Sequence, residues 1–140
     1  MDIAEVRRRV RAAIATARAA AQQRQARVDA ASREYETFLT ERAVPVFHSF
    51  AAALAGEGLR FKVFTPAGSV RLVPDGAPED YIEVDLDNSG DLPQVVGRIS
   101  RGRGRRQVST ERPVKDGAGV GTLTDEDVLE FLTAEIVRFV

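Results

Sequence analysis

The sequence predicts an α+β fold: a long N-terminal coiled-coil-like helix, a short helix, an antiparallel meander of four or five strands, and a C-terminal helix packed on one sheet face. Three observations predict it. Residues 1–44 contain neither Gly nor Pro. Residues 59–112 alternate apolar and polar side chains between clusters of turn formers. Residues 124–140 return to helical spacing. The expected organisation is a protruding helical interaction arm over 1–44 and a small α+β head over 45–140.

The first stretch is rich in Ala, Arg, Gln and Glu, which are good helix formers. Ile3, Val6, Val10, Ala13, Ala17 and Ala20 follow a 3-4 spacing, the seam of a coiled coil, thinned by alanine. Arg24 and Arg27 fall on the same register before the seam resumes at Val28, Ala31, Tyr35 and Phe38. With no breaker at Gln22–Gln25, a continuous helix is expected there; a turn between two antiparallel helices is the alternative. A helix from about residue 2 to 43 would extend roughly 60 Å, about twice the width of the domain the remaining residues can build. Its distal half therefore needs another partner for its seam.

Pro45 disfavours the helical region at Val44, so a boundary or kink is expected between them. Val46, Phe47, Phe50, Ala51 and Leu54 give a short second helix one apolar face, which Gly56 and Gly58 end. Leu59, Phe61 and Val63 then alternate with polar neighbours, and the turn Pro66-Ala67-Gly68-Ser69 leads to Val70 and Leu72 on a second strand. A third strand over about 80–86 turns Ile82, Val84 and Leu86 inward. A fourth over 94–101 and a fifth over 105–112 meet at Gly102-Arg103-Gly104. Thr124 followed by Asp127 resembles a capping box, opening a final helix expected to run to residue 140.

Composition narrows the chemistry. With 140 residues the chain makes one domain, and 20 basic against 21 acidic residues give no overall bias toward nucleic acid or membrane. Zero Cys excludes disulfides and thiolate metal sites, and one His excludes a His-rich site. No membrane span or signal sequence is evident, so a cytoplasmic protein is expected.

Arg98, Arg101, Arg103, Arg105 and Arg106 fall within nine residues free of acids, at a hairpin tip that could grip phosphates. Opposite in sign, residues 75–91 hold seven acids and no base; cross-strand pairs between the two clusters are the plain reading, with pairing between copies or binding of an oppositely charged partner as the alternatives. Asp85-Leu86-Asp87-Asn88-Ser89-Gly90 imitates the start of a calcium loop, but Val96 stands where the closing Glu belongs. Gly117, Gly119 and Gly121 precede a helix without the Lys-Ser/Thr of a phosphate loop. His48 has no acid or nucleophile near it in sequence.

No catalytic constellation, metal site or cofactor is expected. The reading that remains is a non-enzymatic assembly or adaptor protein. It would bind another protein or a second copy through Ile3, Val6, Val10, Ile14, Val28, Tyr35 and Phe38. The alternative is a nucleic-acid-associated protein using the arginine hairpin over 98–106.

Overall fold

The computed structural model describes residues 1–140. A single helix runs for 54 residues, from Ile3 to Gly56. Its first section, α1 (Ile3–Phe38), starts at Asp2, whose carboxylate accepts a hydrogen bond from the Ala4 N–H at 3.1 Å. The helix passes through Gln22–Gln25 unbroken, which removes the helical-hairpin alternative.

The boundary expected at Val44 is present as a change of helix type rather than an end of the helix: a π-helical turn at Leu39–Ala43 precedes Val44. In an α-helix a proline lacks one N–H and its ring strikes the carbonyl four residues back. Here the Val44 N–H reaches back to the Leu39 carbonyl, one residue further than an α-helix would. This wider turn lets the chain continue as α2 (Val44–Gly56), with Pro45 in its first turn.

Five strands follow: β1 (Phe61–Phe64), β2 (Val70–Pro74), β3 (Tyr81–Asp87), β4 (Gln94–Arg103) and β5 (Arg106–Pro113). They form one antiparallel sheet in sequence order. Register aligns Val63, Leu72, Ile82 and Ile99 in one cross-strand row and Val70, Val84 and Gly97 in the next. These rows face the core. The turn between β4 and β5 is the two-residue loop Gly104-Arg105, with Gly104 at φ 62°, a left-handed conformation that favours glycine.

The C-terminal helix α3 (Asp125–Ile136) has the expected capping box: Asp127 N–H donates to Thr124 Oγ1 at 3.2 Å, and Thr124 N–H to Asp127 Oδ2 at 2.9 Å. It stops at Ile136, short of the expected end. Phe131 lies over the bare backbone of Gly97, where a Cβ would come within 2.0 Å of the ring. Phe131, Leu132 and Val128 join Phe47, Leu72 and Ile82 in the core.

From α1 the core takes Ala31, Tyr35 and Phe38. The Tyr35 hydroxyl donates to the Gly68 carbonyl at 2.6 Å, tying the helix to the β1–β2 turn. Residues 1–27 are exposed apart from the half-buried Glu5. The uncovered section of the helix is therefore 1–27 rather than 1–44, because the sheet, reached by Tyr35, and the Val120–Thr122 turn cover the seam from Ala31 onward.

Candidate functional site

The arm presents an apolar stripe to solvent. Ile3 is 68% exposed, Val6 39%, Val10 49% and Ile14 43%. Spacings of three and four residues keep these four side chains on one helix face. The structure brings them together and separates them from the other expected contact residues. Val28 is half-buried at the junction, while Tyr35 and Phe38 lie in the chain's own core, 5% and 4% exposed, and present no surface to a partner. One seam thus has two fates along one helix: the sheet and the Val120–Thr122 turn cover its C-terminal part, and nothing in the chain covers its N-terminal part.

Charge frames the stripe. Glu5 pairs with Arg8 and with Arg9, the latter at 3.0 Å, and Gln25 bonds Asp29 at 2.9 Å. Such exposed pairs one turn apart contribute about 0.3–0.5 kcal/mol each to the helix. Arg7, Arg11 and Arg18, at spacings of four and seven, run along one edge of the stripe. They take part in no ion pair.

The arginine cluster divides into three behaviours. Arg98 lies in a cross-strand row, Arg71, Glu83, Arg98 and Glu111, that spans β2 to β5 on the sheet face away from the core rows. It reaches Glu111 at 2.8 Å, Asp85 at 2.9 Å and Glu83 at 3.3 Å, while Arg71 pairs with Glu83 and stacks 4.2 Å over the Tyr81 ring. The Glu111 hydrogen bond, opposed by partial desolvation and reinforced by Asp85, holds the Arg98 guanidinium protonated beyond its ordinary range. Arg98 is a clamp for the sheet, its charge already matched. Arg101 lies 5.1 Å from the Phe139 ring centroid, with its Nε buried and unpartnered. Only Arg103, Arg105 and Arg106 stand exposed at the hairpin tip.

The remaining motifs resolve into local structure. The Asp85 carboxylate accepts from Arg98 and from the Leu86 N–H at 2.8 Å; Asp87 accepts from the Ser89 side chain and from the Ser89 N–H, the latter at 2.9 Å, which together hold its carboxyl below the usual range. No three His, Asp or Glu side chains converge as metal ligands. Gly121 faces the Glu34 carboxylate, 3.1 Å from where its Cβ would stand, so the glycine loop offers an acid where a phosphate would need a donor. His48 is exposed on α2.

One feature escaped the sequence. Between α2 and α3 runs a groove of about 340 Å³, lined by Pro45, Val46, Ser49, Phe50 and Ala53 on one side and Asp125, Glu126 and Leu129 on the other. It depends on the packing of two helices distant in the chain. Its only trace in the sequence is the breadth of the α3 apolar face, which includes Leu129 beyond what the core takes up; Leu129 remains 41% exposed.

No helix is long and apolar enough to cross a membrane. Comparison with known proteins returns no matching family, no similar curated protein and no similar solved structure.

Proposed function

We propose that the chain is a non-enzymatic assembly or adaptor protein that binds a protein partner, or a second copy, through its N-terminal arm. The observation that carries this reading is the exposed Ile3, Val6, Val10, Ile14 stripe on a helix that extends about 40 Å beyond the residues it packs against. Local terms alone hold a solvated helix weakly, and burying such a stripe against another surface adds stability that solvent exposure does not give. The coiled-coil-like spacing of the seam belongs to the same reading: it suits a helix-on-helix contact.

The test is the double substitution Val6→Asp and Val10→Asp in the full chain, with association followed by sedimentation and by capture on immobilised protein. The expected outcome is loss of association with an unchanged unfolding transition, because neither residue touches the core. Association that survives the double substitution refutes the arm reading.

A second reading, nucleic-acid association, draws on Arg103, Arg105 and Arg106 at the hairpin tip and on the arm's Arg7-Arg8-Arg9-Arg11. It has lost Arg98 to the sheet's own carboxylates. Binding that nuclease and high salt both abolish is the result that would favour it.

A further inference from the structure

We infer that the arm of one copy docks into the groove between α2 and α3 of a second copy. This rests on the reading of the arm as an interaction element and names its occupant. Four observations lead to it.

The charge of the chain is divided. Residues 1–27 hold seven arginines against Asp2 and Glu5, a net +5, while residues 28–140 carry −6, so the near-neutral total conceals a basic arm on an acidic body. Two arms side by side would set +5 against +5, which disfavours a simple pairing of seams. The body of another copy offers the opposite sign.

The groove offers it at the right place. Val46, Phe50, Ala53 and Leu129 form an apolar floor, and Asp125 and Glu126 stand on the rim. The whole of α3 holds five acids and no base. Arg42 meets Asp125 at 3.5 Å, leaving Glu126 without an ion pair. An apolar stripe edged by Arg7, Arg11 and Arg18 matches an apolar floor edged by carboxylates.

The dimensions agree. The groove runs from Pro45 to Ala53 along α2, nine positions or about 13 Å of helix, which is the length from Val6 to Ile14 on the stripe.

Finally, the contact must be between molecules. The stripe and the α2 wall of the groove lie on the same unbroken helix, and Val10 and Phe50 are roughly 60 Å apart along it. A helix that continuous cannot fold back on itself, so a chain cannot fill its own groove.

The chain contains no cysteine, which makes the experiment clean. Full-length Val10→Cys and full-length Leu129→Cys are prepared separately, then mixed and treated with a short bis-maleimide; both positions are exposed, so both variants fold. The expected result is a cross-linked dimer in the mixture, at least tenfold more abundant than in either variant alone. The yield should fall at least tenfold in 0.5 M salt, on the order expected for a charge-steered contact, and similarly when Glu126→Arg is added to the Leu129→Cys chain. Efficient linking of Val10→Cys to itself shows arm-to-arm pairing and overturns this inference while leaving the assembly reading standing. So does a monomeric chain whose arm captures a different protein in a Val6- and Val10-dependent way. A monomer whose arm binds anionic phospholipid vesicles or DNA instead overturns both. Cross-linking that ignores salt and Glu126→Arg refutes the charge argument and with it the choice of groove.

Discussion

Residues 3–27 and residues 28–56 belong to one helix, yet different forces hold them. In the distal half the stabilising terms are local: an Asp2 cap, Glu5 pairing with arginines one turn away, and the high propensity of alanine. In the proximal half they are tertiary, with Phe47 fully enclosed, Ala43 fully enclosed and Tyr35 hydrogen-bonded across to the sheet. The proximal half tolerates even a π turn and a proline, defects that would unravel an isolated helix, because packing against the sheet compensates for them. Regular helical geometry is therefore no guide to where the energy lies. The distal half is held by its own local terms, and its apolar stripe stays exposed to solvent.

The largest expected effect tests the tertiary half. Phe47→Ala empties a fully buried aromatic site and should cost about 3–5 kcal/mol, a large share of the ~5–15 kcal/mol total of a domain this size. Denaturant unfolding should show the extrapolated unfolding free energy lowered by that amount. The matching substitution in the arm, Val10→Ala, should leave that free energy unchanged within about 0.5 kcal/mol. Equal losses at the two positions would break the contrast, since they would mean that the arm folds as part of the body.

A smaller effect is expected at Tyr35, where the two halves meet. Burial, with Asp85 and Glu83 close by, pushes its hydroxyl well above the ordinary value of 10.0. The unfolded chain gives up that proton near pH 10 while the folded chain retains it. The associated stability is thus fully present below pH 10 and declines as pH rises above it, by about 1.4 kcal/mol per unit until the folded state also ionises. Tyr35→Phe should cost about 1 kcal/mol at neutral pH through the lost bond to Gly68. It should also flatten the alkaline decline relative to the natural chain, which unfolding midpoints measured from pH 8 to 11.5 would show. An unchanged alkaline slope would place the Tyr35 hydroxyl in water rather than in the core.

How much of this was legible in the sequence follows the same division. Features fixed by neighbours in the chain could be read: the unbroken helix through Gln22–Gln25, the strand spans within a residue or two, and the Thr124–Asp127 capping box. Features fixed by contacts across the fold could not. Pro45 reads as a stop because the π turn that accommodates it has no composition signal. Tyr35 and Phe38 fit the arm seam as well as they fit the core, since the spacing that continues the stripe is the spacing that meets the sheet. Arg98 reads as one of five equivalent arginines, yet strand register sets it among Glu83, Asp85 and Glu111 and leaves the hairpin tip with three. The acids of residues 75–91 gave a partial warning, since cross-strand pairing with that cluster was the expectation. The groove between α2 and α3 leaves one local trace, Leu129 on the broad apolar face of α3, and nothing in the sequence pairs that face with α2.

The smallest expected effect sharpens the contrast most. Ala17→Gly lies in the middle of the uncovered stretch, where glycine costs an α-helix about 1 kcal/mol relative to alanine. In a helix whose energy is shared along its length, that cost would pass to the whole domain and lower its unfolding midpoint. If the arm is held only by its own local terms, the midpoint should not move, and the loss should appear as about fivefold faster amide exchange confined to residues near 17. The same measurement repeated at concentrations where the chain associates adds a further discrimination. Docking in a partner's groove would restore protection to residues 3–14, the section carrying the stripe, and leave the Gln22–Arg27 section exchanging as before. Protection spread evenly over the arm would instead indicate a contact running its full length, as a coiled coil would make.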